Sequence, residues 1–113
     1  MKNYTFLFFL FSMTFSQDPG LKAYRDGRFS EAEDYYLSIL NKNSNNSLAK
    51  FGLGISSHKQ NKNEDALRLL NDVKNSDDPM LSSKAYYSIA TILKDQEKFE
   101  ESMLHYRKAI ELD

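Results

Sequence analysis

The chain alternates apolar and polar positions with the period of a helix, in short segments that come in pairs. Ala32, Tyr35, Tyr36, Ile39 and Leu40 fall on one helical face, as do Ala66, Leu69, Leu70 and Val73. Ser102, Tyr106, Ala109 and Ile110 repeat the arrangement. Two of these segments follow a similar partner: Leu48, Phe51 and Ile55 before the second, and Ala85, Tyr86, Ile89, Ala90 and Leu93 before the third. No run alternates with period two for long enough to make a strand, so the pattern predicts an all-α chain.

The segments are copies of one unit. With Gly20, Gly54 and Ala90 aligned, the same offsets superpose Ala32, Ala66 and Ser102, then Tyr36, Leu70 and Tyr106, then Ile39, Val73 and Ala109. Leu53 coincides with Ile89, and Phe29 with Phe99. The first step is 34 residues and the second 36, with the two extra residues assigned to the stretch 76–82. Asp18-Pro19 and Asp78-Pro79 each set a capping carboxylate before a proline suited to a first helical turn. Ser30-Glu31-Ala32-Glu33 predicts a capping box, and Asn63 is expected to cap the helix that begins with Glu64. Gly27 with Arg28 predicts a tight turn, and residues 41–46 a polar link. The expected helices are 18–26, 30–41, 47–59, 63–74, 79–95 and 99–111.

Residues 1–16 read differently. Lys2 is followed by an apolar run from Tyr4 to Phe15, rich in Phe and Leu and too short for the roughly 20 residues a membrane span needs. This predicts a secretory signal peptide cleaved between Ser16 and Gln17, with Thr14 and Ser16 as the small residues at the cut. An uncleaved membrane anchor is the alternative. The expected location is therefore secreted or periplasmic, in the cell envelope.

The composition narrows the chemistry. Cysteine is absent, which removes disulfides, thiol catalysis and thiolate metal sites. With 15 Lys and Arg against 16 Asp and Glu in 113 residues, charge nearly cancels and reads as scattered, with no basic stripe for nucleic acid. His58 and His105 fall on different units without a third ligand, so no metal site is expected. Glu33-Asp34 and Asp77-Asp78 are adjacent pairs that point apart or sit in a loop, solvated charge rather than a catalytic dyad. Gly52-Leu53-Gly54 lies within a helix pattern rather than a phosphate loop. Asn45-Asn46-Ser47 matches the glycosylation triplet, a common one. Neither an enzyme nor a cofactor is expected.

With small residues at Gly20, Gly54, Ala90, Ala32, Ala66 and Ser102, and large ones at Tyr36, Leu70 and Tyr106, residues 17–113 resemble the tetratricopeptide-repeat (TPR) family. The resemblance implies a TPR-type α-solenoid of three helix-turn-helix repeats, about 17–46, 47–80 and 83–113. It also implies a protein-binding scaffold that holds an extended peptide or a partner helix in a concave groove lined by the first helices. Carried over position by position, that groove would show Leu21, Tyr24, Phe51, Ile55, His58, Tyr87, Thr91 and Lys94. Phe51 and Ile55 are equally suited to packing between units. Only Lys84 matches the family's clamp for a chaperone's C-terminal carboxylate; Gly52 and Ser88 stand at others of its positions, so such a clamp is not expected.

Several departures qualify the pattern. Asn61 and Asn63 replace the usual small and aromatic residues, and the unit-closing proline is missing near Ser44 and Asp78, so unit two is expected to be the loosest. After Asp113 no capping helix follows, which predicts either a fragment or a partner over the face bearing Ala109 and Ile110. Two alternatives follow: a self-associating module stacking through its last helix, or the regulatory array of a longer protein. The stretch from Gly20 to Phe29, with Lys84-Ala85-Tyr86-Tyr87, is similar to the small TPR proteins of Bacteroides aerotolerance operons. That narrower resemblance implies an envelope protein with von Willebrand-type membrane partners.

Overall fold

A computed structural model describes residues 18–112. Among them are six helices and no strand: α1 (Pro19–Arg25), α2 (Phe29–Lys42), α3 (Ser47–Lys59), α4 (Asn63–Val73), α5 (Pro79–Asp95) and α6 (Phe99–Leu112). The all-α expectation holds, with helix ends within about two residues of those read from the pattern. The expected signal segment lies outside the described residues. No described helix is long and apolar enough to cross a membrane.

Each helix packs on the next, giving three hairpins: α1 with α2, α3 with α4, and α5 with α6. The first helices also touch along the array, α1 with α3 and α3 with α5. Among the described residues the second helices make no such contact with one another. A stack whose first helices touch while its second helices splay curves around the first helices, which therefore form its inner face.

The turn inside each hairpin has one geometry written three times. Gly27, Asn61 and Glu97 take left-handed backbone, with φ of 79°, 63° and 62°. The next residue's N–H reaches back to close the first helix: Arg28 to the Ala23 carbonyl at 2.8 Å, Lys62 to Ser57 at 2.9 Å, and Lys98 to Leu93 at 2.9 Å. This is the Schellman closure, in which a residue of positive φ lets the chain reverse and satisfy the last carbonyls. Glycine supplies that conformation without a Cβ clash only in unit one.

The same geometry overturns the expected capping box. Arg28 and Lys62 each end one helix and serve as N-cap of the next, and neither caps through its side chain. Ser30 is thereby drawn inside the first turn of α2, and Glu33 instead meets Lys62 Nζ at 3.1 Å and Gln60 Nε2 at 3.3 Å, tying unit one to unit two. Asn63 likewise lies within α4 rather than capping it, and its buried Oδ1 accepts no hydrogen bond. Between hairpins there is room for a true cap. Asp18 accepts from the N–H groups of Gly20 and Leu21, and Asp78 from those of Met80 and Leu81, each ahead of its proline. Asn46 accepts from Ala49 N–H at 2.9 Å.

The core lies in the joints between units. Tyr36, 5% exposed, packs with Ala23, Ala32, Ala49 and Leu53 and spans α1 to α3. Leu70, fully buried, packs with Ala66 and with Ile89, Ile92 and Leu93 of α5, while Val73 meets Leu81 and Ala85. Unit two, expected to be the loosest, is instead covered on both sides and holds the fully buried Ala66, Leu70 and Val73. The second step is longer because α5 gains a turn of four residues at its start, Met80 and Leu81 among them, and the link gains one, while α4 is three residues shorter than α2. Ser102 fits at the position held by Ala32 and Ala66 in the other units because its hydroxyl donates to the Ala90 carbonyl across the hairpin at 2.8 Å.

Candidate functional site

The inner face is built from helical spacing on two long helices and one short one. On α5, Met80, Lys84, Tyr87, Thr91 and Lys94 recur every three or four residues along its exposed side. On α3, Leu48, Phe51, Ile55 and Lys59 do the same, and α1 contributes Leu21 and Arg25. A cleft of about 500 Å³ opens between α3, α5 and the end of α6. Phe51, Met80, Tyr87 and Ile110 give it apolar walls, and Lys84 stands at its margin. Ser83 closes the base, its hydroxyl donating to the Ala109 carbonyl at 2.7 Å.

Of the eight residues expected in a groove, the structure brings Phe51 and Tyr87 together in this cleft. Phe51 also packs on Val73, Leu81 and Ala85, and Ile55 packs on the Leu70 cluster, so both hold units two and three together. Tyr87 occupies the position of Phe51 one unit on. With no following hairpin described, it is 60% exposed and rests edge-on against Tyr106 at 5.3 Å. Thr91, at the position of Ile55, pairs its hydroxyl with Tyr106 at 3.2 Å. Tyr24 turns from the groove to pack on Phe29 at 5.4 Å, and burial raises its phenol pKa. His58 Nε2 lies 3.5 Å from the Asp95 carboxylate on the neighbouring first helix. Leu21 and Lys94 are exposed, the first at the far end from the cleft. Met80, Leu48, Arg25 and Lys59 were missed as groove residues, although the spacing 80, 84, 87, 91, 94 already joins Met80 to the α5 strip.

Charge is not scattered, as the linear reading had it, but layered. The first helices carry Lys22, Arg25, Lys50, Lys59, Lys84 and Lys94 against Asp95 alone. Each second helix carries three acids against one or two cations: Glu31, Glu33 and Asp34 with Lys42 on α2, Glu64, Asp65 and Asp72 with Arg68 on α4, and Glu100, Glu101 and Glu111 with Arg107 and Lys108 on α6. Lys22 is paired with Asp26 and Lys50 with Asp72, at 3.1 and 3.8 Å. Arg25, Lys59, Lys84 and Lys94 have no carboxylate in ion-pair reach among the described residues.

The remaining polar candidates are occupied locally. His105 Nδ1 lies 2.8 Å from the Glu101 carbonyl, beside Tyr86, on the outer layer and away from His58. Gly52 and Gly54 face Tyr36 and Leu70 within the helix packing. A family model described as tetratricopeptide repeat matches residues 83–113, the span of the last hairpin. No curated protein matches the chain.

Proposed function

We propose, from the tetratricopeptide-repeat match of the last hairpin and its two structural copies, that the chain is a non-catalytic scaffold of the cell envelope. It binds a peptide or helix of a partner protein along its first-helix face. Tetratricopeptide repeats are in general protein-interaction modules, and the inner layer is where a curved stack offers concave surface. The observation that carries the reading is the exposed Tyr87 and Met80 over a cleft already walled by Phe51 and Ile110. An aromatic anchor of this kind, apolar with a polar tip, suits a surface that is wet until occupied. The envelope location rests on the apolar leader at residues 4–15, and the narrower aerotolerance-operon resemblance agrees with it.

The test is a photo-reactive amino acid placed at Tyr87, with a control at Arg68 on the outer layer, in cells of the native host. The expected result is one cross-linked protein from position 87 and none from 68. Equal labelling from both would remove the groove from consideration. A second reading, self-association through the last hairpin, is favoured by Met103 and Ile110, exposed at 61% and 76%. Sedimentation over a concentration range separates the two, since a strict monomer argues against stacking.

A further inference from the structure

We infer that the segment held by the first-helix face is acidic: an extended or helical stretch whose side-chain carboxylates alternate with bulky apolar residues. The inference rests on the groove reading above and adds the chemistry of the occupant. Its ground is the layering of charge, invisible in a net charge of −1.

Four cations line the inner layer without a carboxylate partner among the described residues. Arg25 and Lys59 stand at equivalent positions of successive units, one at the end of each first helix. Lys84 and Lys94 stand on the exposed side of α5, with the Tyr87 ring between them. The position equivalent to Arg25 and Lys59 in unit three is Asp95, the one acid of the layer, and it is the carboxylate that His58 faces at 3.5 Å. The second helices run about 8–10 Å away axis to axis, and of their acids Asp72 alone is in ion-pair reach of a first-helix cation among the described residues, Lys50 at 3.8 Å. That spacing is close to a Debye length at physiological salt, so the other outer acids only partly cancel Arg25, Lys59, Lys84 and Lys94. The result is a positive face with an apolar cleft at its unit-three end.

Such a face selects on two counts. The cleft takes an apolar side chain, and the cations on either side of Tyr87 take carboxylates one to three residues away along an extended segment. A basic segment would meet unpaired cations, and a neutral one would gain only the cleft. Internal side-chain carboxylates are what this layout accepts, since the cations are strung along the array rather than gathered at one point.

The test uses the full chain and three labelled synthetic peptides: one with Glu interleaved with Leu and Phe, one with Gln at each Glu position, and one with Lys there. Fluorescence anisotropy at low salt is expected to rank Glu over Gln over Lys. The variant Arg25→Gln, Lys59→Gln, Lys84→Gln, Lys94→Gln, with its helix content checked by circular dichroism, is expected to lose about tenfold in affinity for the Glu peptide, since several screened pairs are lost together. Raising salt should erase that difference. Equal binding of all three peptides, with Tyr87→Ala abolishing it, would overturn the acidic preference and leave the groove standing. Failure of all three would overturn the inference, and the cross-link at position 87 then decides the groove separately. Vesicles of anionic lipid, or single-stranded DNA, bound as tightly as the Glu peptide would also sink it, because the face would then be a general anion surface.

Discussion

A Cβ built on Gly20 would stand 2.5 Å from Tyr36 Cζ, and one built on Gly52 would stand 2.5 Å from its Cε1. The ring of Tyr36 is thus gripped by the bare backbone of two helices belonging to successive units. Gly52→Ala forces that ring aside and is expected to destabilise the chain by about 1–3 kcal/mol in urea unfolding. In a Tyr36→Leu background the same substitution should cost much less. A Cβ on Gly54 would stand 3.0 Å from Cγ and Cδ2 of the buried Leu70, closer than ordinary contact but clear of the overlap at Gly52; with a gain of about 1 kcal/mol in helix propensity opposing the crowding, Gly54→Ala should cost less than Gly52→Ala. The sequence marks Gly20 and Gly54 as crossing points through the repeat, whereas Gly52 is legible only once Tyr36 is seen to reach the next unit.

Burial, with the Asp18 carboxylate nearby, pushes the Tyr36 phenol up to about 12. The unfolded chain loses this proton near pH 10 while the folded chain retains it. Its contribution is therefore complete below pH 10 and is lost as pH rises toward about 12. Tyr36→Phe should flatten stability against pH in that window, as read by unfolding at a series of alkaline pH values. An unchanged slope would mean that the phenol is solvated.

Among the elements, the contrast lies between caps that sit in open links and caps fused to a turn. Asp78→Ala removes the acceptor of two N–H groups and is expected to cost about 1 kcal/mol, whereas Ser30→Ala should change stability by no more than a few tenths. Glu97→Gly relieves a left-handed residue and is expected to raise stability by about 0.5–1 kcal/mol, measured as a higher melting temperature. The Asp-Pro caps were legible because their signal is local. The Ser30 box was misread because its position depends on the Schellman turn before it, which makes residue 28 both an end and a beginning. The layering of charge was hidden for a related reason. Net charge alternates in sign from one helix to the next, and only the assignment of helices to inner and outer layers brings that out.

For the whole molecule, stability is a sum over joints rather than one central core. Leu70→Ala empties the joint between units two and three and should cost about 2–5 kcal/mol. Hydrogen exchange is expected to find α4 and α5 slowest and α1 fastest, because α1 has seven residues and neighbours on one side only among the described residues. Protection of α1 equal to that of α5 would contradict the joint-by-joint picture.

The three turns inside the hairpins share one length, whereas the links between hairpins, residues 43–46 and 74–78, do not. Evolution or an engineer can thus splice residues at either link and leave each hairpin's internal angle untouched. One residue added beside Gly27, Asn61 or Glu97 would swing the following helix by about 100° and turn its apolar stripe to water.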